Sequence, residues 1–583
     1  MQVTHPPRFT KRYDLVTDAK AQGATYTPKI LADFVAQQIV SVAALGSKQT
    51  LRILDPAIGH GELLISLLEA LPGSTDTAIE VYGFETEHAA LEVAKARIAE
   101  AFPGVSIHFA HESFLDFVTA QNGLFQSKLP SNFDLIVANP PYVRTQIMGA
   151  NQAQALAQQF GLTGRVDLYH AFLLGMASVL APDGTAGVIV SNRFMSTKSG
   201  ASVREGLHAG FHISKAWDLG DTKLFDAAVL PAVLLLEGTS AKSDQKTIFT
   251  SIYQTKSEAA HEASDAIAAL ANEGIVALED GRRFEVQHGL LDQGGSTDGV
   301  WRNASASSEA WLERVRVNSW GTFRDIGKIR VGVKTCADKT FIRTDWHEMK
   351  EEERPELVKP LTTHHIARRF KASERDAPYG VLYPHEMKDG RRRTCDLTEY
   401  PKSAAYLEEH RADLEGRKYV IEAGRIWYEI WVPQSPDAWE KPKLVFRDIA
   451  KQPTFWIDLD GSVVNGDCYW LVAESDEKTD LLWLACAVAN STFIEKFYDL
   501  QFNNKLYAGR RRFITQYVEK FPLPDPESEN AQTIIALAKD IYECLPADDA
   551  NAKMLKLNTL IWDVFGLEEA AAQSSKKSAG NGI

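Results

Sequence analysis

The sequence predicts an α/β protein built on an open, mostly parallel sheet and followed by a second domain of mixed α/β character. Three observations predict it. Strand-like and helix-like segments alternate as far as about residue 240, the pattern of a sheet whose crossovers are helices. The strand candidates are short, unbroken apolar runs such as FDLIVA (133–138) and AVLLLE (232–237), as expected of strands buried on both faces. Beyond about residue 315 the texture changes to Trp, Tyr and Pro, with short strand-like runs and clustered Arg.

Taken in order, LRIL (51–54) reads as a strand and ELLISLLEAL as the helix after it, because Leu63, Leu64, Leu67, Leu68 and Leu71 recur at helical spacing. Further strands are expected at VYGFE (81–85), SIHFA (106–110), FDLIVA, AGVIVS (186–191), ISKAWDL (213–219) and AVLLLE. Helices are expected at 87–101 and 168–181. From residue 238 the pattern dissolves into Ser, Ala, Gly and charged residues, with QGGSTDG (293–299) the clearest linker. The expected organisation is an extension (1–22), a first domain (23–240), a connecting region (241–314) and a second domain (315–526). A helical segment (527–567) and a disordered tail (568–583) complete it.

A chain of 583 residues is too long for one core. Its 45% hydrophobic and 24% charged content is that of an ordinary globular protein. No apolar run reaches membrane-spanning length, and the opening MQVTHPPRFTKRYD lacks a signal-peptide core. A cytoplasmic protein with no membrane partner is expected. The five cysteines are scattered without zinc-like spacing, so no metal site is expected. The net charge of −14 argues against a polyanionic partner unless basic residues cluster locally.

Several strand ends carry chemistry. In LDPAIGHGELL (54–64), Gly59 and Gly61 occupy a strand-to-helix turn, which is either a plain tight turn or a place where backbone approaches a ligand. Glu85 ends the next strand, where nucleoside-binding folds put an acid for ribose hydroxyls. Glu112 ends the strand after that, either to accept from an adenine amino group or as a solvated loop acid or helix cap. Asn139-Pro140-Pro141-Tyr142 follows FDLIVA on the same sheet edge. The prolines stop the strand and leave carbonyls unclaimed. The Asn139 oxygen and a proline-fixed carbonyl can accept from an exocyclic NH₂, and Tyr142 offers a stacking face.

Together ATYTPKILADFV (24–35), DPAIGHG (55–61), GFETE (83–87), NPPY (139–142), DLYHAFL (167–173) and LGDTKLFDAAVLPAVLLLE (219–237) resemble, in order, the gamma-class adenine-N6 DNA methyltransferases of type II restriction–modification systems. The resemblance implies a class I S-adenosylmethionine-dependent methyltransferase fold with a seven-stranded, mostly parallel sheet, and a C-terminal mixed α/β target-recognition domain. It implies S-adenosyl-L-methionine bound by Thr25, Tyr26, Thr27 and Pro28 with Asp55, Pro56, Ala57, Gly59 and Gly61, and touching Asn139. Glu85 would hold the ribose and Glu112 the adenine, although the family more often has Asp there. Asn139, Pro140, Pro141 and Tyr142 would be catalytic. Tyr142 and Phe225 would sandwich a flipped base; otherwise Phe225 is a core residue. The partner implied is double-stranded DNA, with room for a separate cognate restriction endonuclease.

DNA contacts are expected from three basic runs of the second domain: HHIARRFK with Arg368 and Arg369, KDGRRRT with Arg391, Arg392 and Arg393, and NNKLYAGRRRF with Lys505, Arg510, Arg511 and Arg512. Each run could equally be a solvated face. GKIRVGVKTCADKTFI (327–342) and YAGRRRFITQYVEKFPLPDP (507–526) resemble the opening and closing segments of the family's recognition domain. Protein-glutamine N5-methyltransferases and RNA methyltransferases use the same NPPY group, but the long chain after residue 240 does not suit the former. PDAWEKPK (436–443) spaces its acids too closely for a nuclease site and reads as a loop.

Overall fold

The computed structural model describes residues 27–569 except 47, 74–76, 122–129, 131, 143–149, 164–166, 226–229, 242–244, 294, 297–298, 503–504, 507–508 and 546–548. The chain forms two compact units, residues 1–305 with 506–509 and residues 306–505 with 510–583.

In the first unit seven strands lie where the apolar runs predict them: β1 (Thr50–Asp55), β2 (Ala78–Phe84), β3 (Ser106–Ala110), β4 (Phe133–Ala138), β5 (Leu180–Ser191), β6 (His212–Asp218) and β7 (Pro231–Glu237). Their spatial order is β3-β2-β1-β4-β5-β7-β6. Strands β1 to β5 pair in parallel, and β7 runs antiparallel between β5 and β6. Chain order reverses between the neighbours β1 and β4, so the crevice for a ligand opens beyond their carboxyl ends.

Strand β4 shows why such runs are legible. Leu135 and Val137 enter one hydrophobic core, while Ile136 and Ala138 enter the core on the opposite face. The period-2 alternation of a strand thus buries both sides of the sheet. Helix α1 (Lys29–Val42) buries Leu31, Ala32, Val35, Ala36 and Ile39 on one of these faces. It lies close because Gly187 of β5 has no side chain; a Cβ there would sit 2.7 Å from Val35 and Ile39 side chains.

Two expectations change. The helix expected over 168–181 ends at Ala177, because β5 already begins at Leu180. The expected connecting region is largely sheet. Strands β8 (Ile248–Gln254), β9 (His261–Ala263), β10 (Gly274–Leu278), β11 (Arg283–Asp292) and β12 (Arg302–Ala304) extend the seven-stranded order to twelve strands through the β6–β8 pair.

The second unit is mixed α/β. A four-stranded sheet containing Lys443–Arg447 and Phe455–Asp458 packs against the nearly all-buried helix Asp480–Ala489. Helices Glu529–Cys544 and Asp549–Val564 close this core. PDAWEKPK is a short turn before a strand, as expected of a loop. Among the described residues no helix is long and apolar enough to cross a membrane. Nor do the described residues contain a His/Cys/Asp/Glu cluster suited to a metal ion.

Candidate active site

The turn after β1 is held from within. Asp55 is 1% exposed; its Oδ1 accepts from the Ala57 N–H at 3.0 Å, and its Oδ2 has no partner among the described residues. Burial pushes its pKa up to about 7; the Ala57 N–H opposes this and the charge of Glu85 adds to it. Gly59 and Gly61 both have positive φ, and Gly61 caps helix α2 (Glu62–Ala70). A Cβ on Gly59 would meet nothing within 4 Å, whereas one on Gly61 would press on Ala94. The turn therefore shows its open side at Gly59.

Glu85 follows β2 and ties that strand end to the turn. Its Oε2 accepts from Gly59 N–H at 3.0 Å, and its Oε1 accepts from the N–H groups of Thr86 and Glu87 at 2.8 and 2.9 Å. The Thr86 hydroxyl adds a longer contact to Oε1 at 3.4 Å, so the room for a further donor is on Oε2, which takes only the Gly59 N–H. Glu112 stands exposed beyond β3.

Asn139 lies just past the buried end of β4. Its Nδ2 donates to Thr27 Oγ1 at 3.0 Å, and its Oδ1 accepts from the Tyr142 hydroxyl at 3.0 Å. No described donor claims the Pro140 carbonyl. The Tyr142 hydroxyl also lies 3.4 Å from the Ile189 carbonyl, and its ring meets Tyr169 edge-on at 5.9 Å. Burial lifts the Tyr142 phenol far above its ordinary pKa, so it stays protonated and can donate.

Tyr169 explains the DLYHAFL motif, for which the sequence offered no role. Asp167 and His170 form a reciprocal capping box that starts helix Leu168–Ala177, and this fixes Tyr169 behind Tyr142. Burial pushes the His170 pKa down to about 3, which keeps the ring neutral and able to act as the cap's acceptor. Thr27 has a role that the motif alone did not assign, as the side chain holding the Asn139 amide. Pro28 caps helix α1. Thr25 and Tyr26 lie outside the described residues. Phe225 is 6% exposed and packs with Trp217, Leu219 and Val233 in the core on the opposite sheet face from the one supporting Tyr142.

The basic residues of the second unit divide into two sets. Arg511, 13% exposed at its side chain, donates to both Asp499 oxygens at 2.7 and 2.8 Å and to the Lys451 carbonyl. It shares Glu495 with Arg369, and Arg512 pairs with Asp448 at 3.1 Å. The charges of Arg369, Arg511 and Arg512 are thus paired with acids within the unit. Arg510 and Arg368 are exposed, as are Arg391, Arg392 and Arg393 on the hairpin His385–Lys388/Arg391–Thr394. Asp389 and Gly390, both with positive φ, form its two-residue turn. Arg392 donates to the Gln434 carbonyl at 3.0 Å. Lys505 lies on the strand Lys505–Leu506.

Arg511→Ala is expected to cost about 1.5–3 kcal/mol of stability, since it strips Asp499 of a charged hydrogen-bond partner and Glu495 of an ion pair. Arg510→Ala should stay within about 0.5 kcal/mol of the parent. Denaturant unfolding of the two variants side by side checks this, and equal midpoints would remove the structural role from Arg511.

Two family profiles match the chain: "Eco57I restriction-modification methylase" over residues 79–225 and "TaqI-like C-terminal specificity domain" over residues 396–523. The type II methyltransferase M.BanIII of Aneurinibacillus aneurinilyticus is 36% identical over 575 residues, covering 95% of this chain and 99% of its own. M.XhoI of Xanthomonas vasicola is 24% identical over 568 residues, covering 94% and 98%. In a DrdV–DNA complex the DrdV chain shares the fold with a TM-score of 0.51 at 11% identity, over 90% of this chain and 58% of that one. End-to-end matches of this kind do not favour a glutamine or RNA methyltransferase. The chain belongs to the type II methyltransferases of restriction–modification systems, enzymes that methylate DNA at specific sites.

Proposed function

We propose that this enzyme transfers a methyl group from S-adenosyl-L-methionine to the N6 amine of an adenine rotated out of duplex DNA. The carrying observation is the placement of the Asn139 amide, its nitrogen held by Thr27 and its oxygen by Tyr142, next to the Pro140 carbonyl and beside a strand-end turn suited to a nucleoside cofactor. The turn fits that cofactor because Asp55 Oδ2 is buried without a partner and the Gly59 face is open. Glu85 stands ready at the next strand end, and the resemblance adds Thr27, Pro28 and Glu112 to the same binding group. When bound, S-adenosylmethionine supplies a methyl group activated by an adjacent sulfonium.

The protein's part is alignment and electrostatics. The adenine amine is a weak nucleophile because its lone pair is delocalised into the ring. Two acceptors, one from Asn139 and one from Pro140, draw the N–H bonds toward themselves and leave the lone pair localised. Thr27 and Tyr142 fix the Asn139 amide so that its oxygen, not its nitrogen, serves the substrate. Tyr142, braced by Tyr169, offers a ring for the extruded base to stack on. Phe225 is proposed for the other face of the base, which requires its segment to turn out of the core. DNA contacts are proposed for Arg368, Arg391, Arg393, Lys505 and Arg510, with Arg392 bracing the hairpin. The enzyme acts in the cytoplasm opposite a separate cognate endonuclease.

Sequencing of genomic DNA from cells making the protein, with detection of modified bases, tests this reading: one motif modified at an adenine is expected. Glu85→Ala should weaken S-adenosylmethionine binding by about 1.5–3 kcal/mol, through loss of a charged hydrogen bond and of the Gly59 tether. Calorimetric titration of the variant checks it, and an unchanged Kd would exclude Glu85 from the site.

A further inference from the structure

The recognition unit contains a cluster that joins the first two residues of the HHIARRFK run, His364 and His365, to cations outside every run, Arg375 and Arg447. Strand Val358–Thr362 pairs in parallel with Val463–Val464, and this brings the turn His364–Ile366 beside Asp467. His364 Nδ1 is hydrogen-bonded to Asp467 Oδ2. The His365 ring lies 3.9 Å from that of His364 and stacks on Tyr379 at 5.7 Å and 17°. The Arg375 guanidinium sits 5.2 Å over Tyr379. Arg447 ends the strand Lys443–Arg447, where its partner across the ladder is Cys468, next to Asp467.

Arg447 is the unexplained member. Its Nε is buried without a hydrogen-bond partner, and no ion pair involves it among the described residues. The next residue, Asp448, is occupied by Arg512. A buried guanidinium N–H without an acceptor is costly to maintain. The cluster around it is cationic enough to be felt: partial burial, and with it the charges of His364, Arg375 and Arg447, lower the His365 pKa. Asp467 opposes that shift; its Oδ2 is bonded to His364, while its buried Oδ1 has no hydrogen-bond partner among the described residues.

A phosphate and a base edge make different demands here. A phosphate is best served by cations alone, and the Asp467 carboxylate close by would repel it. A guanine edge asks only for two donors at O6 and N7 and tolerates a fixed carboxylate alongside, which can also face the cytosine amino group. Phosphate contacts are supplied more simply by the open hairpin. We therefore propose that Arg447 reads a guanine of the target sequence through the major groove, donating to O6 and N7. The inference rests on the reading of the chain as a site-specific methyltransferase of duplex DNA. It adds a specificity residue that lies outside every basic run of the sequence.

The test uses the full-length protein with Arg447→Ala and Arg447→Lys, scored by modification-detecting sequencing of methylated DNA and by duplex binding over a range of salt. The wild type should methylate one motif that includes an invariant guanine. Arg447→Ala should accept other bases at that one position, with discrimination there falling about 10- to 100-fold, the loss of one bidentate pair. The slope of log K against log salt should not change. Should Arg447→Ala prove inactive, Arg447→Lys decides: relaxation at one guanine supports the assignment, and an unchanged motif overturns it. A uniform loss of affinity with a shallower salt slope would also overturn it, by making Arg447 a phosphate anchor. If the wild type itself methylates no motif, the enzymatic reading fails before this one is reached.

Discussion

Asn139→Ala is expected to lower single-turnover methyl transfer by about 10²–10³-fold or more, the cost of deleting one preorganised group that acts only as the reaction proceeds. The substitution removes the acceptor and also frees Thr27 and the Tyr142 hydroxyl, each of which now bonds the amide. Asn139 is half-buried just past the end of β4 and adds nothing to either hydrophobic core, so the fold should survive. Affinity for S-adenosylmethionine should change little, because Asp55 and Glu85 are untouched. Rate and Kd measured on one preparation separate the two effects. Transfer near the wild-type rate would refute the role given to Asn139.

The second large effect is on stability. Asp55 has an ordinary pKa of 3.8 and a folded-state value of about 7. Between those two values the folded chain keeps a proton that the unfolded chain has released, so stability falls as pH rises through this window. The full penalty, on the order of 4 kcal/mol for a three-unit shift, is present above pH 7. Asp55→Asn cannot ionise, and its amide oxygen can still accept from Ala57. The variant should therefore overtake the wild type as pH rises from 4 to 7 and remain ahead at pH 8. It should also bind S-adenosylmethionine more weakly, since the unpartnered carboxylate oxygen is gone. Urea unfolding of both proteins at pH 4.5, 6 and 8 tests this; a stability difference that does not vary with pH would contradict it.

Legibility followed burial. Strands β4, β5 and β7 were plainest because they are covered on both faces and read as apolar runs, whereas the edge strand β3 has no fully buried residue and was legible only by its place in the alternation. Strands β8 to β12 were not: β11, RFEVQHGLLD, alternates buried Phe284 and Val286 with exposed polar residues, and its neighbourhood is rich in Gly and Ser. An antiparallel extension of this kind resembles a polar linker in sequence. At the site, the chemistry-bearing types were visible at strand ends, but their mutual bonds were not. Thr27 and Asn139 are 112 residues apart, and nothing local announces their hydrogen bond. The ion pairs of the RRR run were hidden for the same reason, since the acids that pair with Arg511 lie on helix Thr492–Phe502, before the run begins.

The central claim is methylation of an adenine amine. Its most direct test is to incubate the purified protein with S-adenosylmethionine labelled in the methyl group and unmodified genomic DNA, digest the DNA to nucleosides and identify the labelled one by mass spectrometry. N6-methyladenine as the labelled nucleoside is the expected result, and its absence in the Asn139→Ala reaction ties it to this site. Label in N4-methylcytosine or 5-methylcytosine, or in protein rather than DNA, would contradict the claim.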